Sequence, residues 1–249
     1  MRIRDKIKKP QRPVVAYEIL PPREKDGTLN AYAETISSLL SQTHIDAINI
    51  PEVHDEVGRG ERPVSNQERG EPRKFGMLLQ DIVGIEAIVN RVVVHMPLKK
   101  QMEWIHETYS QFEIDNLIIV GGESSKQKYP GPTVNESLEK ISQDNRRREN
   151  SILCGGICIP SRRKESKNLI RKSECGAEFF TTQVLCDSEN VIKMIKNYQE
   201  RCDKVKTFPR RILLSFAPVS SQKNIDFLKW LGVEIPKDTE KYLNGRPGS

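Results

Sequence analysis

The stretch AYEILPPRE places a glutamate, Glu18, inside an apolar run that two prolines then close. A carboxyl in such surroundings loses hydration, its pKa rises, and its protonated form becomes available as a general acid near neutral pH. The plainer alternative is an ion pair with a neighbouring strand. Other apolar runs end in polar residues as well. RVVVHM brings His95 to the end of a run, where an imidazole can move a proton or simply pack. NLIIVGGE ends in two glycines and Glu123. Glycines there let a ligand approach the backbone and the carboxylate can accept its hydrogen bonds, although a simple turn would look the same. GAEFFTTQVLCD carries Gln183 near its end, and its amide offers both a carbonyl and an NH₂ group. In NLIRKSE, Asn168, Arg171 and Lys172 stand at i, i+3 and i+4 and so share one helical face. Three donors, two of them cationic, suit a diphosphate. A solvated basic face is the alternative.

These positions need a scaffold that brings strand ends together. Short β-branched runs recur at 14–20, 45–50, 91–96, 116–122, 151–159, 177–185 and 211–219. Several are almost continuously apolar, as expected of parallel strands covered on both faces. Segments with apolar residues at helical spacing lie between or after them, at 28–42, 99–112, 134–143, 168–174, 190–202 and 224–232. Strand and helix in alternation predict a parallel α/β fold. The repeat number favours a (β/α)₈ TIM barrel, here a single catalytic domain over 1–249, over an open doubly wound sheet. No G-x-G-x-x-G fingerprint follows the first strand. An eighth strand is not evident in EIPKDTEKYLNGRPGS, so a C-terminally shortened barrel is one expectation. In a barrel, polar residues at the C-terminal strand ends converge on one pocket. The apolar-poor stretch 51–75 would be a long loop over that pocket, and DNRRREN at 144–150 a solvated turn on the opposite face.

Composition narrows the classes. Charged residues make up 30% and aromatics 6% of the 249 residues, as in an ordinary globular protein. The formal net charge of +6 favours anionic ligands or serves solubility. No aromatic RNA-binding motif or helix-turn-helix signal accompanies it, so a nucleic-acid partner is not expected. No apolar run approaches the ~18 residues that span a bilayer, and no apolar segment follows the basic MRIRDKIKKPQRP as a secretory signal requires. Five cysteines without a zinc-type spacing read as reduced thiols of a cytoplasmic protein, with no metal site. A homo-oligomer stays open.

In combination these residues resemble the methylenetetrahydrofolate reductase family, from AYEILPPRE to DFLKWLGVEIP. YEILPP is similar to the family's FEFFPP-like first-strand motif, which implies that Glu18 protonates the folate. VVHMP is similar to the alanine-histidine-leucine-threonine motif and implies that His95 touches a flavin. GGE stands where the family has arginine-glycine-aspartate, so Glu123 takes the acid's place beside flavin and folate, without the arginine. NLIRKSECGAEFFTTQVLCD keeps the family's spacing. The resemblance thereby implies Asn168, Arg171 and Lys172 as FAD-phosphate ligands, Ala177 of the GA pair beside the cofactor, and Gln183 as the residue that binds folate and nicotinamide in turn. Phe227, counted back from VEIP, matches the phenylalanine that stacks on the substrate ring. NIPEVHDEVGRGERP replaces the family's glycine-rich loop after the second strand. The implied reaction is reduction of 5,10-methylenetetrahydrofolate to 5-methyltetrahydrofolate, with FAD as cofactor and NADH or NADPH as electron donor. The alternative is a folate-binding relative of methyltransferases, or a flavin-free reductase, on the same fold.

Overall fold

The computed structural model describes residues 1–9, 11–54, 61–64, 67–122, 127–147 and 151–244. Seven strands form one sheet: β1 (Ala16–Glu18), β2 (Ala47–Ile50), β3 (Ala87–Val92), β4 (Asn116–Val120), β5 (Leu153–Cys158), β6 (Phe179–Val184) and β7 (Arg211–Ser215). They lie in sequential order and every neighbouring pair is parallel. Helices intervene throughout: α2 (Leu29–Leu40), α3 (Pro72–Val83), α4 (Leu98–Phe112), α5 (Val134–Asn145), α6 (Glu165–Glu174) and α7 (Glu189–Lys204). A short α1 (Ile3–Lys8) precedes β1, and α8 (Gln222–Trp230) and α9 (Lys237–Asn244) follow β7. This is the strand order of a TIM-barrel-like α/β fold. Among the described residues there is no eighth strand, and β1 and β7 are the sheet's two edges.

Side chains alternate between the two faces of each strand. Ile48, Val89, Leu117, Ile119 and Phe180 face the helices and join the larger apolar cluster. Ala47, Ile88, Ile118 and Phe179 face the other way and form a second cluster, closed by Ile3 and Ile7 of α1. Gly155 makes room within it: a Cβ there would lie 2.5 Å from Phe179 Cζ. α1 caps the end where the strands begin. Its cations meet acids that stand just before those strands: Arg2 pairs with Glu86 and Asp115, Arg4 with Glu178 at 3.2 Å, and Lys6 with Asp46 at 3.1 Å. The basic N-terminus is therefore matched by acids of the fold itself.

Three elements differ from the sequence expectation. The third strand is AIVNRV, earlier than the RVVVHM run, because Val93–His95 turn into a 3₁₀ helix. α3 begins inside the polar stretch expected to be loop. Glu71 caps it by accepting a hydrogen bond from Lys74 N at 2.8 Å, Pro72 occupies its first turn, and Phe75 and Leu79 bury one face. α1 was hidden by its charges, since only Ile3 and Ile7 of its residues are buried.

Candidate functional site

All strands are parallel, so their C-terminal ends open on one side, opposite α1. Glu18 closes β1 there. Its Oε2 accepts a hydrogen bond from Asn49 Nδ2 at 2.7 Å. The side chain is exposed, yet surrounding protein strips away enough water to push the carboxyl's pKa above its ordinary value, and the Asn49 bond opposes that shift without cancelling it. Among the described residues no cation lies within ion-pair distance of Glu18, so the ion-pair alternative finds no support.

The inner face beside Glu18 is polar. Asn49 sits directly across the ladder from Glu18. On β3, Asn90 lies two residues beyond Ile88 and therefore on the same face as that core residue. Asn49 is 8% and Asn90 9% exposed, and neither Oδ1 has a hydrogen-bond partner among the described residues. Across the sheet Thr181 Oγ1 lies 3.1 Å from Ser215 Oγ. The inner face thus changes from an apolar floor near α1 to polar positions on β1–β3 and on β6–β7 at the mouth, with Val120 and Ile157 keeping it apolar between them.

The exit of β2 is held by a buried ion pair. Glu52 bonds Arg91 through Oε1 and accepts from Val92 N through Oε2 at 2.8 Å. Burial alone would raise the Glu52 pKa, but the adjacent His54 and Arg91 outweigh it and hold the carboxyl below its usual range. This anchor brings the His54 ring to 4.7 Å from His95, whose other neighbour is the Tyr129 ring at 5.8 Å. Gly122 is required beside this group, because a Cβ there would lie 2.3 Å from Tyr129 Cζ. His95 is thus part of an aromatic cluster at the mouth. Glu123 lies outside the described residues.

The expected phosphate face has a carboxylate at its centre. Glu165 is 2% exposed and accepts from Ile159 N at 3.1 Å and from Asn168 Nδ2 at 3.0 Å. Arg162 and Lys172 lie 3.5 and 3.8 Å from it. Lys172 also donates to Ile157 O at 2.5 Å, and burial lowers its pKa. Arg171, by contrast, is exposed. Asn168 and Lys172 are brought together as expected, around the buried Glu165 carboxyl. Ala177 is fully buried before the start of β6, with its amide bonded to Lys172 O at 2.9 Å, at the end of the sheet opposite Glu18.

Gln183 reaches the C-terminal end of α8, donating from Nε2 to Leu231 O at 2.7 Å. It therefore anchors the helix that carries Phe227. The Phe227 and Trp230 rings are nearly parallel, at 16° with centroids 6.0 Å apart, and the Arg62 guanidinium lies 5.4 and 5.1 Å from them. Sequence reasoning places Asn49 and Glu52 at the end of the second strand without giving either a role, and passes over Asn90, Arg62 and Glu165. A signal existed for the two asparagines, since an amide inside an apolar strand is as conspicuous as Glu18, but misplacing β3 left Asn90 outside any strand. Among the described residues no group of three or more His, Cys, Asp and Glu side chains could hold a metal, and no helix is long and apolar enough to cross a membrane.

A TIM-barrel-like α/β protein with an acid-bearing mouth is what fold and site define. Residues 158–245 match the family model of methylenetetrahydrofolate reductase. That match covers about a third of the chain, and the family is what this part of the chain is similar to. No curated protein matches the sequence significantly. Among solved structures it is similar to an uncharacterised protein from Clostridium thermocellum that binds two copies of 5-methyl-5,6,7,8-tetrahydrofolic acid. The two share 22% identity and a TM-score of 0.76 over 99% of this chain and 80% of that one. More distant likenesses are a phosphonopyruvate hydrolase complex with oxalate and Mg²⁺ (10% identity, TM-score 0.56, 97% of this chain and 82% of that one) and an oxaloacetate acetylhydrolase with its product oxalate (9%, 0.53, 97% and 81%). At such identities these likenesses speak to the fold.

Proposed function

We propose that the protein binds a reduced folate in the mouth of the sheet and that Glu18 is its proton donor, within reduction of 5,10-methylenetetrahydrofolate to 5-methyltetrahydrofolate. The observation that carries this reading is the Glu18 carboxyl itself: raised in pKa, bonded to Asn49 and with no cation among the described residues to ionise it. Opening the five-membered ring of the methylene compound requires a proton on the folate nitrogen that leaves. A neutral carboxyl can supply it and an ionised one cannot. Gln183, Phe227 and Glu123 would orient the folate, and NADH or NADPH would be the source of the hydride. The folate-binding structure from Clostridium thermocellum supports the choice of ligand.

A second reading, a flavin-free reductase or a methyl-folate-binding protein, is favoured by the hold of Glu165 on Asn168 and Lys172. The test is turnover of 5,10-methylenetetrahydrofolate with NADH, run with and without added FAD. Production of 5-methyltetrahydrofolate is expected. Turnover that depends on FAD would remove the second reading, and turnover without it would establish the flavin-free reductase. Binding of 5-methyltetrahydrofolate without turnover would leave the methyl-folate-binding protein. Neither turnover nor binding would overturn the folate assignment.

A further inference from the structure

Asn49 and Asn90 present one chemistry twice. Each belongs to a different strand, each points to the inner face, each is more than nine-tenths buried, and each has an Oδ1 without a hydrogen-bond partner among the described residues. Most buried polar atoms are satisfied, and an unsatisfied acceptor weakens the fold that contains it. Two such acceptors close together therefore call for donors that the described protein does not supply.

Their placement says what shape those donors must have. Asn49 is level with Glu18 on β1 and with Ile88 on β3. Asn90 is the next inward position on β3, one pleat nearer the mouth. Glu18, Asn49 and Asn90 thus form a stair across three adjacent strands, rising from the apolar floor of Ala47 and Ile88. A flat ring lowered into the mouth would meet that floor with its apolar body and the stair with one edge. To satisfy both amide oxygens, this edge must carry at least two N–H donors.

We propose that Asn49 and Asn90 are binding residues that read the donor edge of a ring ligand, and that this edge is the 2-amino-4-oxopyrimidine of a pterin. Its ring N–H and its amino group are adjacent donors, and two carbonyl oxygens on neighbouring strands are their complement. The inference rests on the folate reading above and specifies which end of the folate enters first: the pterin goes down against β2 and β3, and the remainder of the molecule extends outward.

Asn90→Leu tests this with little change in volume. Calorimetric titration would compare 5-methyltetrahydrofolate with its 2-desamino-2-methyl analogue on wild type, Asn49→Leu and Asn90→Leu, beside thermal melts of the free proteins. Wild type is expected to bind the natural compound more tightly than the analogue. Each variant should lose about tenfold in affinity for the natural compound, the scale of one hydrogen bond left unmade in a buried site. At least one of the two should no longer distinguish the compounds. Free Asn90→Leu should melt no lower than wild type, because an unsatisfied amide has been removed; a merely structural asparagine would show the reverse. Should Asn90→Leu fold poorly, Asn90→Ala carries the same binding expectation. If wild type binds 5-methyltetrahydrofolate and both variants match it within twofold, the asparagine assignment is overturned and the folate reading stands. If wild type binds neither compound, the folate reading itself fails and takes this proposal with it.

Discussion

Replacing Glu18 with glutamine is expected to lower turnover of the folate substrate by about 100- to 10,000-fold, the usual contribution of a positioned acid, while leaving folate binding largely intact. Glutamine keeps the shape and can still meet Asn49, but it has no acidic proton. The pH dependence has a defined sign. The carboxyl's pKa in the folded chain is raised, chiefly by desolvation, so its protonated form prevails below that value and is lost as pH rises through it. Wild-type kcat should therefore fall on the alkaline side of a pKa above the ordinary carboxylate value, and the variant should lose that limb. Stability follows the same linkage. A raised folded-state pKa contributes stability at low pH that disappears as pH rises through it, so Glu18→Gln is expected to be the more stable protein at neutral pH. A variant with unchanged turnover and an unchanged pH profile would refute the acid role.

Arg91→Ala is expected to be the most destabilising single change near the site, by about 3–5 kcal/mol, because it strands a carboxylate that the fold has already removed from water. Arg91 is 4% exposed, donates to Gln101 Oε1 at 2.9 Å, pairs with Glu52 and lies 4.2 Å from the Trp104 ring centroid. Glu52 in turn ties the β2 exit to Val92 N, which holds His54 beside His95. The loss should therefore appear in urea unfolding and again as weaker ligand binding. A change below about 1 kcal/mol, the level of an exposed ion pair, would contradict this account.

The fold was largely legible because each strand carries apolar residues on both faces, and such runs survive without any knowledge of tertiary contacts. Six of the seven strands, α2 and the helices from α4 to α8 fall close to their expected positions. What escaped was set by long-range partners. Arg91 stands at the start of the expected run, and its place near the end of β3 shows only when Glu52 and Gln101 are placed around it. α1 reads as a solvated basic tail until Glu86, Asp115, Glu178 and Asp46 are brought to it. The site shows the same division. Glu18 was visible because a carboxyl in an apolar run is anomalous on its own. Asn168 and Lys172 were visible as a helical face, but Glu165, three residues before Asn168, changes what that face can hold, and only its burial and its bonds to Ile159 N and Asn168 reveal that. Gln183 was read as a ligand-binding amide; the structure gives its NH₂ group to Leu231, a partner 48 residues away that no local pattern announces.

The most direct test of the folate-binding mouth is a crystal structure of the protein grown with 5-methyltetrahydrofolate. The account predicts the pterin on the inner face of β1, β2 and β3, within hydrogen-bond distance of Asn49 and Asn90 and with the Glu18 carboxyl facing its reduced ring. A folate bound elsewhere on the molecule, with this mouth holding only water, would contradict it.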